Sequence, residues 1–250
     1  FLCLETGVRF ETIDLDALLS EHTSLATSVL ERTGGTIVGH FRRYLEHGVY
    51  PFYLEGVDLF HIKLGNVVEK VLSEDIPSVM GVRPATIPVL RKLIHLVASS
   101  QPFTPNIERM ATVLRVSREY VYRYLEYLHG AGIFALIPPP GRGLRAARKP
   151  AKICLDNPNL FPAVLGSAGM RAHIGAVREA FFHSQLREIC ALTTDPKVDF
   201  RSETGLRFEV GGRSKDASQL GGDEDAWLAV DDVEVGSGRR IPLWLFGFLY

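Results

Sequence analysis

Two acidic residues and a lysine lie close together in the stretch from Val198 to Lys215. Asp199 lies in one short strand-like segment and Glu209 in the next, with a turn at Glu203-Thr204-Gly205 between them. Because side chains alternate along a strand, a short hairpin brings Asp199 and Glu209 to the same face. Two carboxylates placed in this way predict a site for Mg²⁺ or Mn²⁺ with oxygen ligands.

The position of the lysine decides what this pair of acids can do. A metal-dependent nuclease site of this kind needs its lysine two residues after the second acid, and that position is Gly211. Lys215 follows Glu209 by six residues, which is roughly 20 Å along an extended strand. It reaches the acids only if Gly211-Gly212 turns the chain sharply, which glycine permits.

Two further interpretations of the acidic residues follow from the same sequence. Glu179, on a preceding amphipathic helix predicted over 177–190, is a candidate for a third carboxylate. Alternatively, Asp199 and Glu209 form ion pairs with Arg201 and Arg207 at the edge of a sheet and have no catalytic role.

The elements that must hold these residues are predicted from hydrophobic alternation in the last part of the chain. We expect an α/β layer made of the amphipathic helix and four strands, which cover residues 198–201, 206–210, 226–230 and 241–246. The apolar C-terminal segment of about ten residues is too short to span a bilayer, which needs about 20. It is therefore expected to form a buried terminal strand.

The middle of the chain has a different pattern. Three helices are predicted, with Asn106 and Ser117 capping the second and third, and strands at 133–137 and 151–155 follow them. Three helices followed by a hairpin is the plan of a winged helix-turn-helix. The first part of the chain is predicted to be helical, so the expected fold class is α+β, with boundaries at 1–85, 86–155 and 156–250.

The loop of the predicted hairpin is basic. The exposed face of the third helix carries charges of both signs, whereas the loop contains five cations and no acid: Arg142, Arg145, Arg148, Lys149 and Lys152. Such a wing predicts contact with the phosphates of a nucleic acid, with salt-dependent and sequence-independent affinity. The alternatives are a solvated loop and a surface that contacts another protein domain.

Composition sets limits on the remaining possibilities. The chain has 250 residues, a net charge of −1 and a mean hydropathy of +0.07. Any nucleic-acid or membrane site must therefore be a local patch, and no membrane partner is expected. Cys3, Cys154 and Cys190 are too far apart for zinc-ligand spacing, and their odd number does not suit a disulfide framework, so a cytoplasmic location is expected.

The order of these parts resembles the C-terminal portion of prokaryotic AAA+-type ATPases of the archaeal ATPase-like class, which end in a winged helix and a restriction-endonuclease-like domain of unknown function. The resemblance covers nearly the whole chain, and its most specific segment is 241–250. The other matching segments are 45–52, 71–77, 105–132, 156–160 and 208–212.

The resemblance implies a helical remnant of the ATPase lid at 1–85 and nucleotide-binding motifs upstream of Phe1, in a longer protein that uses ATP and Mg²⁺. No Gly-Lys dipeptide occurs in the chain, so no Walker-type phosphate loop and no cofactor are expected within it. The leading hypothesis is a non-catalytic regulatory module that binds DNA or a partner protein next to the upstream ATPase domain. The competing hypothesis is a metal-dependent nuclease that uses Asp199, Glu209 and Lys215.

Overall fold

The computed structural model describes residues 1–102, 104–141, 149–166, 169–220 and 222–249. Its α-helices are α1 Leu2–Thr6, α2 Leu15–Thr33, α3 Val38–His47, α4 Phe60–Lys70, α5 Ile76–Met80, α6 Ile87–Ala98, α7 Ile107–Leu114, α8 Arg118–Gly130, α9 Leu160–Leu165 and α10 Ile174–Leu186. Its strands are β1 Phe134–Ile137, β2 Lys152–Leu155, β3 Leu192–Thr193, β4 Phe200–Ser202, β5 Arg207–Gly211, β6 Ala226–Val230 and β7 Arg240–Pro242. The expected mixed α+β class is confirmed.

The chain forms two compact units. One contains Phe1–Val49 together with Phe181–Tyr250, and the other contains Tyr50–Ala180. The first 49 residues therefore belong with the C-terminal sheet, whereas the sequence predicts boundaries at residues 85 and 155. Contacts of Glu234 and Asp232 explain part of this grouping. The carboxylate of Glu234 accepts hydrogen bonds from the backbone N–H groups of Ile37 and Val38, where α3 begins, and Asp232 forms an ion pair with Arg42.

The first unit is built on a five-stranded sheet in the order β3-β4-β5-β6-β7. Strands β3, β4 and β5 are antiparallel neighbours, and β5, β6 and β7 are parallel neighbours. The crossover from β5 to β6 contains a short 3₁₀ helix at Ala217–Leu220. Strands β4 and β5 consequently lie inside the sheet and not at its edge.

A cluster of phenylalanines fixes the register of this sheet. Phe200 on β4 pairs with Phe208 on β5, and both rings are fully buried. The ring of Phe182 on α10 lies 5.3 Å from Phe200 and 5.2 Å from Phe208, and Phe246 packs on the same ring at 4.9 Å. Rings at these separations attract one another beyond simple burial, by about 0.5–1.5 kcal/mol a pair.

The end of the chain differs from the prediction. The segment 241–246 is predicted to be one strand, but β7 ends at Pro242 and a 3₁₀ helix follows over Leu243–Phe248. Proline has no backbone N–H to continue a ladder, so a strand ends there readily. The apolar side chains are nevertheless buried, and the indole of Trp244 donates a 3.1 Å hydrogen bond to the carbonyl of Val233.

The second unit contains the three predicted helices and the hairpin. Helix α7 packs on α8, α8 packs on β1 and α6 packs on β2, while β1 and β2 pair antiparallel. The side chain of Asn106 caps α7 by accepting from Arg109 N at 2.9 Å, as predicted. Ser117 lies at the N-cap of α8 without a side-chain capping bond, and Arg115 forms the turn between the helices with a left-handed φ of 57°.

Within the described ranges, no helix is both long enough and apolar enough to cross a membrane.

Helix α2 places a histidine against the sheet, and this gives a pH prediction. His22 is buried and packs edge-on against Trp227 at 6.4 Å, and burial lowers its pKa from the ordinary value of 6.5. The folded state therefore binds this proton less readily than the unfolded state. We expect the free energy of unfolding to fall as the pH drops below about 6.5 towards the lowered folded-state pKa.

Urea titrations across this pH range test the expectation. His22→Phe should remove part of the acid dependence, whereas the exposed His173→Gln should keep all of it. An unchanged acid slope in His22→Phe would contradict the assignment.

Candidate active site at the five-stranded sheet

The register of β4 and β5 places the two predicted acids together. Phe200 pairs with Phe208 and Arg201 with Arg207, so the same register sets Asp199 opposite Glu209. Asp199 Oδ2 accepts a 2.9 Å hydrogen bond from Val210 N, one residue beyond Glu209. Both carboxylates are half-buried.

Lys215 reaches Glu209 despite its distance along the sequence. The chain turns directly after β5, and Lys215 N donates to the carbonyl of Gly212 at 3.0 Å. The ammonium group forms an ion pair with Glu209 Oε1. The turn that brings Lys215 back covers Gly212–Lys215, while Gly211 is still the last residue of β5.

The side chain of Lys215 lies directly above Gly211. A Cβ atom built on Gly211 would overlap Lys215 Cγ and would lie 3.0 Å from its Cε. Lys215 thus occupies the space that a side chain at residue 211 would need, and residue 211 is the position expected to carry the lysine.

Backbone and side-chain contacts hold this turn in place. Arg240 Nη2 donates a 2.9 Å hydrogen bond to the carbonyl of Arg213, inside the turn. The carbonyl of Gly211 accepts from Asp231 N at 2.8 Å, which ties the end of β5 to the end of β6. These contacts come from residues far along the chain, so no local sequence signal could have identified them.

Arg207 has acidic partners outside the candidate pair. Arg207 contacts Asp223 and lies 3.4 Å from Asp195, a carboxylate that is only 4% exposed. Arg207 is therefore compensated by acids outside the candidate pair. The alternative in which Arg207 neutralises Glu209 at a sheet edge does not match these contacts, because Glu209 pairs with Lys215 in the interior of the sheet.

Glu179 has a different partner from the one predicted. Lys152 Nζ lies 2.8 Å from Glu179 Oε2, and the two side chains are 13% and 9% exposed. Both residues belong to the unit formed by Tyr50–Ala180, whereas Asp199 and Glu209 belong to the other unit. Glu179 therefore compensates a buried lysine within its own unit.

The predicted basic wing is only partly within the described ranges. Arg142, Arg145 and Arg148 lie outside them, while Lys149 is exposed. Lys152 is the first residue of β2 and makes the buried pair with Glu179. Its charge is therefore already matched within the fold.

The donor set suits a hard divalent cation with few protein ligands. Across the described ranges, no cluster of three or more His, Cys, Asp or Glu side chains has the arrangement of a metal site. Mg²⁺ needs fewer, because it commonly binds through one or two carboxylates and keeps several water ligands. Asp199 and Glu209, opposite one another on adjacent strands, fit that mode of binding.

Comparison with known proteins identifies a family that covers most of the second unit and the twelve residues before it. The sequence profile of a family described as "Domain of unknown function (DUF8612)" matches residues 38–170, more than half of the chain. The chain belongs to the DUF8612 family. No curated protein and no solved structure matches it. The candidate acids and Lys215 lie after the DUF8612 segment, which ends before α10.

Two segments that are far apart in the sequence meet inside the DUF8612 region. The side-chain amide of the buried Asn157 donates a 2.8 Å hydrogen bond to the hydroxyl of Tyr50, and its oxygen accepts from Asn159 N at 3.1 Å. This contact joins the aromatic segment before α4 to the turn before α9. The hydrogen bond holds these two segments of the family region together.

The position of Lys215 can be tested by adding a methyl group at Gly211. Gly211→Ala should push the Lys215 side chain away from Glu209, because the new Cβ overlaps it. The change in the free energy of unfolding should be within about 1 kcal/mol, since the overlapped atoms belong to a flexible side chain.

Crystal structures or lysine-ammonium NMR of the variant measure the displacement. Gly39→Ala is the matched control, because a Cβ there meets nothing within 4 Å. An unchanged Lys215–Glu209 contact in Gly211→Ala would show that the overlap is relieved in another way.

Proposed function

We propose that the unit formed by Phe1–Val49 and Phe181–Tyr250 is a divalent-metal-dependent nuclease with a restriction-endonuclease-like fold. The observation that carries the proposal is the position of Lys215, whose side chain lies above Gly211 and whose ammonium contacts Glu209. A lysine paired with Glu209, together with Asp199 hydrogen-bonded to the next residue of the same strand, supplies the groups that such chemistry requires.

The order of elements supports the same proposal. Helix α10 is followed by three antiparallel strands, a crossover with a short helix, and a fourth strand parallel to the third. Glu209 lies within β5, the third of these strands, and Asp199 is the residue before β4, the second of them. The rings of Phe200 and Phe208 are buried in the core.

Each residue has a defined part in the proposed reaction. Asp199 and Glu209 would hold Mg²⁺ or Mn²⁺ through their oxygens, and the ion would supply Lewis-acid polarisation of the scissile phosphate. Lys215 would compensate the negative charge that develops on the phosphate oxygens. Because the Lys215 side chain is 34% exposed, its ammonium can exchange Glu209 for a phosphate that enters from solvent.

Plasmid cleavage with Mg²⁺ or Mn²⁺ tests this function. The unaltered chain should nick or cut DNA, and Asp199→Asn, Glu209→Gln and Lys215→Met should each reduce the rate roughly 100- to 1,000-fold. A second measurement follows the melting temperature with added Mn²⁺. The ion should stabilise the unaltered chain and Lys215→Met, but neither carboxylate variant.

Matched controls are available on the same unit. The exposed residues Lys197 and Glu224 can be changed to Met and Gln, and both variants should cleave at the unaltered rate. Absence of metal-dependent cleavage in the unaltered chain would refute the proposal, as would full activity in Glu209→Gln.

We also propose that residues 86–155 form a winged helix that contacts nucleic acid through its wing. The packing of α6, α7 and α8 against the β1–β2 hairpin favours it. The cations on α8 are already engaged, because Arg118 pairs with Glu108 and Arg123 lies over the ring of Tyr120. The wing residues Arg142, Arg145, Arg148 and Lys149 are therefore the cations proposed to contact phosphate.

A salt titration of DNA binding by gel shift tests the wing. Replacing these four cations with alanine should weaken binding and reduce the slope of log K against log salt by about 0.9 for each phosphate that the variant no longer neutralises. Lys152→Ala serves as the contrast, because Lys152 is held in a buried pair with Glu179. Removing one partner of such a pair should lower stability by about 3–5 kcal/mol, while the salt slope of DNA binding stays the same. Binding that is unchanged in the fourfold variant would exclude the wing as the contact surface.

The AAA+-type resemblance stays a proposal about a longer protein. In that proposal the chain acts as a C-terminal portion that binds DNA or a partner, while ATP and Mg²⁺ are used by an upstream ATPase domain. The nuclease site described above would then be the chemical function and the ATPase its regulator. The cytoplasmic location expected from the cysteines belongs to the same proposal.

A further inference from the structure

A second concave site lies within the unit formed by Tyr50–Ala180. Helices α4, α6 and α9, with the turn that follows α4, line an open cavity of about 580 Å³, and its lining residues all fall within the DUF8612 segment. Small-molecule sites commonly have volumes of about 300–1,000 Å³. The floor is apolar and buried, and it consists of Val68, Leu72, Ile94, Ala163 and Val164.

The partly exposed lining of this cavity is rich in hydrogen-bond donors. Arg91 forms a bidentate ion pair with Glu69, through Nε at 2.9 Å and Nη2 at 2.6 Å. Its other terminal nitrogen, Nη1, takes no part in that pair. His95 lies one helical turn after Arg91, and His61 and Asn66 line the cavity from α4.

The charges of these groups indicate the sign of a suitable ligand. The hydrogen bond from Arg91 lowers the pKa of Glu69, and the nearby His95 lowers it further. Glu69 is therefore ionised near neutral pH and is already matched by Arg91. The acid adds no net negative charge to the cavity, while Nη1 of the guanidinium and the His95 imidazole supply hydrogen-bond donors.

We propose that this cavity binds a small amphiphilic carboxylate, with its apolar body on the Val68–Ile94–Val164 floor and its carboxylate on Arg91 and His95. The floor is apolar, so an aliphatic chain that packs on it gains free energy by leaving solvent. A carboxylate suits the mouth because charge-assisted hydrogen bonds from guanidinium and imidazole groups are stronger than neutral ones. Decanoate has both features and is the probe for the test.

Calorimetric titration of the 250-residue chain with decanoate measures the affinity directly. Arg91→Gln should weaken binding roughly tenfold to a hundredfold, the effect of one charge-assisted hydrogen bond. Gly65→Leu should abolish binding, because Gly65 lines the cavity and its Cβ would make only an ordinary contact, 3.5 Å from the carbonyl of Ala163. The leucine side chain then fills the space that the ligand needs.

Two matched variants lie outside the cavity. Arg118→Gln removes an arginine from another exposed ion pair of the same unit, and Gly39→Leu adds a side chain to an open helical position. Both should bind decanoate as the unaltered chain does. NMR shifts of the methyl groups of Ile94 and Val164 provide a readout that does not depend on the stability of Gly65→Leu.

The outcomes separate the proposal from simple apolar adsorption. Decanol should bind at least roughly tenfold more weakly than decanoate if Arg91 recognises the acid. Equal affinity for decanol and decanoate would overturn the proposal, as would no binding of decanoate or an unchanged affinity in Arg91→Gln. None of these outcomes depends on the nuclease site, because the cavity and that site lie in different units.

Discussion

The contact between Phe200, Phe208 and Phe182 determines the geometry of the candidate active site. The two strand phenylalanines pair in register, and the ring from α10 packs on both. A slip of one residue between β4 and β5 would move the buried rings to the opposite face, which the apolar core opposes. The same register sets Asp199 opposite Glu209, so the position of the acids follows from packing on the other side of the sheet.

Lys215 is held by a turn and not by a strand, so its position depends on contacts made elsewhere in the fold. A lysine on β5 would be fixed by the strand itself, whereas Lys215 depends on the turn over Gly212–Lys215 and on the contact of Arg240 with Arg213. Glycine at 211 is required because any side chain there would overlap Lys215. The glycine that interrupts the expected pattern is therefore what allows the lysine to return.

Much of this arrangement could be predicted from the sequence, and the remainder depends on long-range contacts. Asn106 was identified as a cap, and the first part of the chain was predicted to be helical, because both signals are local. The partners of Glu179 and Lys215 could not be assigned, because they depend on how distant segments meet in the fold.

The two lysine–glutamate pairs differ in burial, and this difference bears on which can take part in chemistry. Lys152 and Glu179 are 13% and 9% exposed, so separating them would leave an uncompensated buried charge at a cost of about 3–5 kcal/mol. Lys215 is 34% exposed, and water can replace Glu209 as its partner at a much smaller cost. The first pair therefore stabilises its unit, while the second costs much less to separate. In the nuclease that we propose, this difference in burial lets Lys215 exchange a carboxylate for a phosphate.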